Sequence, residues 1–322
     1  MKQTSKRNTL FAVLTIMATA IAGGLYWRCN NTEEPRQLTA EEMRLEHAAL
    51  IDSTLLRTPL PIDSIMVEQL YSGISAKAWI LVDDSTGMII SQNNATNRMF
   101  PASLTKMMTC LLTLEHGNMG DSVEITPDVF VTRDSRVRPG DSYLLSNLMK
   151  EMMMVSDNVA AVALAKHIGG DTLSFANMMN QKAAYLGMDS THFSNPNGMP
   201  SDSNYSSARD LLVLARYCMN NSSFAQIVGT QFVDIPLLDG RHMPCDNTNL
   251  MLQSYEGIIG IKTGFTRLAG ACLASAATRG NTTLYLILLG SKNQTTRFTE
   301  SAALLDYGFS VIKTYQDMQK LQ

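Results

Sequence analysis

The chain has 322 residues and a formal net charge of −3, with 26 lysines and arginines against 29 aspartates and glutamates. That length suffices for a full hydrophobic core and favours one catalytic domain with an appendage. The balanced charge excludes nucleic acid as an expected partner, and five scattered cysteines without a C-x-x-C pair argue against a disulfide framework or a structural zinc site. The histidines are equally scattered, so no metal site is predicted.

The N-terminal segment, residues 1–28, has the composition of a membrane anchor or a secretory signal. Lys2, Lys6 and Arg7 precede an uncharged apolar run that ends at Trp27. The run is at the lower limit for crossing a bilayer, and the positive charges before it favour an orientation with the rest of the chain outside. A small-residue pattern within the run offers a cleavage site, but apolar residues continue past it, so an uncleaved anchor is favoured.

Residues 29–61 are polar and include Pro35, Pro59 and Pro61. They are predicted to form a stalk, with a short helix begun by a Thr-x-x-Glu capping box, that holds a globular domain away from the membrane. The globular domain is predicted to span residues 62–322, with a first helix at 62–70.

The first strands of this domain are predicted at 78–82 and 88–91, where β-branched and apolar residues flank a turn-forming segment. These strands are expected to pair as a hairpin. After Pro101, an apolar run of helical length predicts a helix with Ser103 at its N-terminus and Lys106 one turn further on.

A mainly helical stretch is predicted from 144 to about 219, and the composition then returns to strands. The predicted helices include 144–155, 159–168, one beginning at Ser207, and a last helix over about 296–312. The predicted strands are 231–235, 260–263, 271–277 and 284–289. This order predicts an α+β fold in which an antiparallel sheet from both ends of the domain carries an inserted helical subdomain.

Ser103 and Lys106 form an S-x-x-K pattern. Residues three apart lie on one helix face, so the amine can reach the hydroxyl. A serine is a weak nucleophile until a base takes its proton, and a lysine within an apolar helix loses solvation, which favours its neutral form. By itself the pattern is more often a helix cap beside a lysine that extends to water.

Two further motifs make a catalytic role for Ser103 and Lys106 the better explanation. Ser156-Asp157-Asn158 lies between two predicted helices, and Lys262-Thr263-Gly264 lies on a predicted strand. Alone, the first is explained as a helix N-cap and the second as an edge-strand lysine before a turn. With Ser103 and Lys106 they complete the S-x-x-K, S-D-N and K-T-G signature of class A β-lactamases and penicillin-binding proteins, which makes coincidence the weaker hypothesis.

On these motifs the chain resembles the D-alanyl-D-alanine carboxypeptidases (peptidase family S11), low-molecular-mass penicillin-binding proteins of the bacterial cell envelope. The resemblance covers roughly residues 76–315 and implies a β-lactamase/transpeptidase-like fold. One departure is Asp157, where the family usually has glycine. Many relatives also add a β-domain and a C-terminal anchor after the catalytic domain. Since this chain ends at Gln322, the N-terminal run is expected to take over anchoring, with the domain in the periplasm or otherwise outside the inner membrane.

The resemblance implies a peptidoglycan stem peptide ending in D-Ala-D-Ala as substrate, and acylation by β-lactam antibiotics. Ser103 would attack the penultimate carbonyl to form an acyl-enzyme, with Lys106 as the base. Ser156 would relay a proton to the leaving amine, and Asn158 would orient Lys106 and a substrate amide. No cofactor is implied.

The resemblance also implies how the substrate is bound. Lys262 would supply positive charge near the substrate carboxylate, and Thr263 would hydrogen-bond it. The backbone N–H groups of Ser103 and of Phe265, just after Gly264, would form the oxyanion hole. Arg297 is expected to bind the C-terminal carboxylate, on the hypothesis that the strand at 284–289 runs close to the Lys262 strand.

Three alternatives share these motifs. A class A β-lactamase would need a deacylating glutamate between the second and third motifs, but no glutamate lies between Glu151 and Glu256, which favours slow deacylation. A D,D-endopeptidase would use the same chemistry on cross-links. A non-catalytic sensor of β-lactams or muropeptides could keep the motifs, although no signalling domain precedes residue 29.

Overall fold

The structure is a computed structural model that describes residues 72–320, so the predicted anchor, stalk and helix at 62–70 lie outside the described residues. A 3-10 turn at Ala102–Thr105 precedes the first helix, and another lies at Pro127–Val129. In chain order the elements are β1 (Ala78–Asp83), β2 (Ile89–Asn93), α1 (Lys106–His116), β3 (Ser122–Glu124), β4 (Ser142–Leu144), α2 (Leu145–Met154), α3 (Asn158–Gly169), α4 (Thr172–Tyr185), α5 (Ala208–Met219), α6 (Ser222–Gly229), β5 (Phe232–Pro236), β6 (His242–Asp246), α7 (Met251–Ser254), β7 (Ile258–Thr266), β8 (Gly270–Arg279), β9 (Thr282–Ser291) and α8 (Thr296–Lys320).

A five-stranded sheet with the order β2-β1-β9-β8-β7 joins the two ends of the described chain. All its pairs are antiparallel, and β1 lies between β2 and β9, with Val82 opposite Tyr285. The predicted hairpin is therefore confirmed, and so is the α+β class with a helical block inserted between early and late strands. β7, which carries the third motif, is an edge strand, as predicted.

The two faces of the sheet pack against different layers. Because side chains alternate along a strand, Ile80 and Ile287 join the core of the helical block, whereas Leu81 and Leu286 join a second core with Leu304 of α8. Both faces of β1 and β9 are thereby buried, which explains their nearly continuous apolar sequences.

Helix α1 is the centre of the helical block. It contacts all five of the helices α2–α6, and every residue from Lys106 to Thr113 is buried. A helix that is apolar on all sides is one that neighbours enclose completely. The side chain of Lys106 therefore begins inside the protein rather than at its surface.

Parts of the sequence prediction were wrong about strands. The predicted strand at 231–235 does not join the main sheet; it forms β5, which pairs only with β6 in a separate two-stranded hairpin. β6 contains Pro244, a residue that is unfavourable inside a strand, and β3 and β4 have only three residues each. None of these three strands has an alternating pattern long or regular enough to be predicted from the sequence.

Helix α8 continues to Lys320, beyond the predicted end near 312. None of the helices within residues 72–320 has both the length and the apolar character required to cross a membrane.

Candidate active site

Ser103 lies in the 3-10 turn that leads into α1, so the α-helix begins at Lys106 and not at Ser103. The hydroxyl of Ser103 therefore does not cap the helix. Its Oγ lies 2.9 Å from Nζ of Lys106, which is the contact that the S-x-x-K spacing predicted. The structure thus brings the two residues together across one tight turn.

The Ser103 turn is pressed against a neighbouring loop. Gly198 has a φ of +83°, and a Cβ at this position would lie 1.8 Å from the carbonyl oxygen of Ala102. Only glycine permits this approach and this backbone conformation together. The 195–198 loop therefore supports the backbone on which Ser103 stands.

The amine of Lys106 is fully buried and surrounded by three acceptors. Nζ lies 2.9 Å from Ser103 Oγ, 2.8 Å from Asn158 Oδ1 and 2.8 Å from the carbonyl oxygen of Asn197. Burial lowers the pKa of Lys106 to about 7, and the charge of Asp157 opposes this shift in part. A large fraction of the amine is therefore neutral near pH 7, and a neutral amine has a lone pair that can accept the proton of Ser103.

The second motif forms the junction between α2 and α3. Asp157 is the N-cap of α3, and its carboxylate accepts from the backbone N–H groups of Val159 at 2.8 Å and Ala160 at 2.9 Å. Ser156 has a φ of +67°, a left-handed conformation that costs a non-glycine residue about 1–3 kcal/mol. The motif supplies the helix cap that its composition suggested, and it also brings Asn158 to Lys106.

The third motif lies on β7 beside the Ser103 turn. A Cβ on Gly264 would lie 3.1 Å from the backbone nitrogen of Ser103, so the strand passes close to that N–H group. Thr263 Oγ1 hydrogen-bonds Thr248 Oγ1 at 2.7 Å, while the side chain of Phe265 is 47% exposed. The edge strand therefore forms one wall of the site, with Phe265 at its solvent side.

Lys262 is a second buried lysine in this wall. Its Nζ donates to the carbonyl oxygen of Thr263 at 3.0 Å. Burial lowers its pKa well below the ordinary lysine value, and the nearby charges of Lys106 and Arg297 lower it further. Lys106, Lys262 and Arg297 are thus close enough for their charges to interact, and an anionic ligand bound beside them would favour their protonated forms.

The side chain of Arg297 contacts β7, although the strand before it, β9, is not adjacent to β7 as expected. β9 is separated from β7 by β8, so the hypothesis that the 284–289 strand runs close to the Lys262 strand is wrong. Arg297 is instead only 5% exposed, and its Nη1 donates to the carbonyl oxygen of Gly264 at 2.9 Å. The alternative of a solvated surface arginine is therefore also wrong.

Two contributors to the site were not predicted from the sequence. Asn197 accepts from Lys106 through its main-chain carbonyl, and Pro196 accepts from Thr109 Oγ1 at 2.6 Å in the same way. A carbonyl oxygen is present on every residue, so no residue type signals it. The only available signal was the turn composition of the 195–198 loop.

The architecture has close counterparts among solved structures. The crystal structure of the Streptomyces K15 DD-transpeptidase matches with a TM-score of 0.70 at 31% identity, covering 74% of this chain and 98% of that chain. A penicillin-binding protein homolog from Mycobacterium tuberculosis also matches with a TM-score of 0.70 at 29% identity, covering 80% of this chain and 96% of the other. The fold is therefore that of the DD-transpeptidases and penicillin-binding proteins.

Within this class the chain belongs to the D-alanyl-D-alanine carboxypeptidase family, peptidase family S11, whose model matches residues 65–293. It is 31% identical to D-alanyl-D-alanine carboxypeptidases of Bacillus subtilis and Escherichia coli, covering 74% and 75% of this chain but only 64% and 63% of theirs. A Mycobacterium tuberculosis relative is 34% identical, with 73% of this chain and 83% of the relative covered. The resemblance identified from the motifs is confirmed.

The buried amine predicts a specific dependence of stability on pH. The folded-state pKa of Lys106, about 7, lies below the ordinary value of 10.5, so between these values the unfolded chain binds one more proton than the folded chain. The free energy of unfolding should therefore rise with pH in this window. From pH 7 to pH 9 the wild type should gain on the order of 2 kcal/mol relative to Lys106→Met, measured by denaturant unfolding at each pH.

Ser103→Ala is the matched control for this measurement, because it removes the hydroxyl and keeps the buried lysine. It should follow the pH dependence of the wild type. Parallel stability curves for the wild type and Lys106→Met would contradict the lowered pKa.

Proposed function

We propose that this chain is a serine-type D-Ala-D-Ala carboxypeptidase, which removes the terminal D-alanine of peptidoglycan stem peptides through an acyl-enzyme on Ser103. Penicillin would acylate the same residue. The observation that carries the proposal is the buried Lys106 amine, whose pKa is about 7 and which lies 2.9 Å from Ser103 Oγ. The family assignment supplies the substrate class.

The proposed reaction begins with neutral Lys106, which takes the proton of Ser103 as Oγ attacks the penultimate carbonyl carbon. The tetrahedral intermediate collapses with cleavage of the C–N bond, and the proton passes from Lys106 through Ser156 to the leaving amine of D-alanine. Water then attacks the ester, and the second product leaves as a carboxylate with Ser103 protonated again. The residues of the chain alone carry these proton transfers.

The remaining residues would bind and orient the peptide. Asn158 is bonded to Lys106 through Oδ1, and its amide nitrogen, which makes only a weak 4.0 Å contact with Sδ of Met199, would donate to a substrate carbonyl. The N–H groups of Ser103 and Phe265 would bind the developing oxyanion. Lys262 and Arg297 would attract the terminal carboxylate, with Thr263 as a further donor.

The β-lactamase alternative is less well supported. No glutamate lies between Glu151 and Glu256 in the sequence. Glu151 itself is completely buried, and its Oε2 accepts from the thiol of Cys245 at 2.6 Å. Glu151 is thus enclosed and engaged, and Glu256 is an exposed turn residue before β7, so the acyl-enzyme formed with penicillin is expected to persist.

A D,D-endopeptidase would use the same site on a cross-linked substrate, so product identification decides between the two activities. A non-catalytic sensor that is acylated by β-lactams would need the same activated Ser103, so release of free D-alanine decides between a sensor and a carboxypeptidase.

The first test is covalent labelling. Intact-mass measurement after penicillin treatment should show one adduct that persists for many minutes, and Ser103→Ala should show none. The same preparation should release free D-alanine from a peptide ending in D-Ala-D-Ala. Rapid turnover of penicillin without an adduct would transfer the assignment to a β-lactamase, and a stable adduct without release of D-alanine would favour the sensor.

A second test concerns Arg297. Its removal should lower kcat/KM at least about tenfold on a peptide with a free C-terminal carboxylate, because the positive charge is desolvated and close to Lys262. The loss should be much smaller on the same peptide with an amidated C-terminus. Since Arg297 also bonds the carbonyl of Gly264, equal losses on both peptides would assign it to holding β7 and not to the carboxylate.

We propose further that residues 1–28 anchor the chain in the membrane of the bacterial cell envelope, and that residues 29–61 form a stalk for the domain at 62–322 outside. The supporting observation is the apolar run ending at Trp27, with Lys2, Lys6 and Arg7 before it.

Cell fractionation tests this arrangement. The full chain should remain with the membrane after a high-salt wash, and added protease should reach the domain once the outer permeability barrier is opened. N-terminal sequencing gives the opposing outcome, since a soluble product that begins within or after the apolar run would identify residues 1–28 as a removed signal.

A further inference from the structure

The carboxylate of Asp157 accepts four hydrogen bonds, only two of which cap α3. Its Oδ2 accepts from the hydroxyl of Ser135 at 2.6 Å and from the backbone N–H of Arg136 at 3.0 Å. Oδ1 accepts the two backbone N–H groups at the start of α3. A single side chain, 6% exposed, thus joins the second motif to a segment more than twenty residues earlier.

That segment, residues 131–138, lies between the turn at Pro127–Val129 and strand β4 and has no helix or strand of its own. Its position therefore depends on individual contacts. We call it the clasp segment. Two of its side chains are buried, Ser135 at 3% and Val137 at 0% exposure, although the residues around them are largely exposed.

Arg136 adds a second attachment of the clasp segment. Its Nη2 donates to the carbonyl oxygen of Pro244 on β6 at 2.6 Å, and its Nε lies 3.9 Å from Oε1 of Glu151 on α2. These contacts are half-exposed or at the limit of an ion pair, whereas the bonds to Asp157 are buried and charge-assisted. Asp157 therefore gives the clasp segment a charge-assisted attachment to the helical block, in addition to the burial of Val137 in its core.

The other side of this link is the catalytic centre. Asp157 lies between Ser156, whose φ of +67° is strained, and Asn158, whose Oδ1 accepts from Nζ of Lys106 at 2.8 Å. A strained backbone persists only where surrounding contacts hold it. The four bonds of Asp157 supply such contacts at the residue between the two functional side chains.

The charge of Asp157 also reaches Lys106, where it raises the amine's pKa against the larger effect of burial. The other charges around this centre are distributed on both sides. The charges of Lys106 and Arg297 act on Lys262 of β7, and the charge of Asp157 acts on Glu151 of α2, whose pKa it raises in addition to the larger effect of burial.

We propose that Asp157 is a positioning residue of the Ser103–Lys106 centre: it fastens the clasp segment to the Ser156–Asn158 turn and so holds Asn158 in contact with Lys106. This inference rests on the proposed function, because it concerns the rate and pH dependence of acylation at Ser103. Asp157 then has two separable effects. Its hydrogen bonds to Ser135 and Arg136 fix the geometry of the site, and its negative charge acts on the amine of Lys106.

The test measures the second-order rate of Ser103 acylation by a fluorescent penicillin between about pH 5 and pH 9, using the full chain. This rate reports the pKa of the free enzyme. Asp157→Asn should lower the maximal rate about tenfold, because its single amide oxygen cannot accept all four hydrogen bonds and its NH2 group would face either the Ser135 and Arg136 donors or the backbone N–H groups of α3. It should also move the rising limb to lower pH, because without the negative charge Lys106 loses its proton more readily.

Ser135→Ala separates geometry from charge. It removes one bond to Asp157 Oδ2 and leaves the carboxylate in place, so the maximal rate should fall while the midpoint of the rising limb stays at the wild-type pH. Asp171→Asn is the matched control, since Asp171 is also an N-cap, at α4, where its carboxylate accepts from Ser174 N at 2.8 Å. It should change neither rate nor midpoint.

An unchanged midpoint in Asp157→Asn would overturn the effect of charge, and an unchanged maximal rate in Ser135→Ala would overturn the clasp. Thermal melts establish that each variant is folded. If Asp157→Asn does not fold, Asp157→Glu replaces it: a longer side chain that keeps the charge should lower the rate and keep the midpoint, and a wild-type rate overturns the proposal. A wild type that does not label at all instead refutes the proposed function.

Discussion

Burial of the Lys106 amine is the constraint on which the rest of the structure depends. Taking a charged amine out of water is costly, so the folded protein holds this lysine with a pKa of about 7 and gives its nitrogen three acceptors. These come from the Ser103 turn, from Asn158 at the start of α3 and from the carbonyl of Asn197. The helical block therefore brings two segments that are distant in sequence, together with the adjacent Ser103 turn, to one nitrogen atom.

The same region concentrates positive charge on the side of the sheet. Lys262 is buried on edge strand β7, and Arg297 reaches that strand from α8 through the carbonyl of Gly264. Burial lowers the pKa of Lys262, and the charges of Lys106 and Arg297 lower it further. Under the proposed function, the terminal carboxylate of the substrate would bind beside Lys262 and Arg297 and offset the positive charge there.

The sequence predicted most of what depends on local pattern. The β1–β2 hairpin, the helical block, the late strands and the contact between Ser103 and Lys106 all follow from periodicity and spacing. Contributions made through the main chain, such as the Asn197 carbonyl, have no side-chain signal. The clasp segment was missed for a related reason, because an irregular loop has no periodicity that would place Ser135 beside Asp157. The contact between Arg297 and β7 could not be predicted, because it depends on the order of the strands in the sheet, which tertiary packing decides.

The position of β1 in the sheet has a consequence for when the site can exist during folding. β1 lies between β2 and β9, with Val82 paired to Tyr285, so the central pair of the sheet joins an early strand to one of the last. Pairings between residues so distant along the chain form slowly and require nearly the whole domain. In the unfolded chain Ser103 and Lys106 are already neighbours in sequence, but Lys106 is hydrated and keeps the proton of an ordinary lysine. The nucleophile is therefore activated by folding and not by the sequence motif alone, and the sheet that carries the third motif is completed only when the late strands have formed.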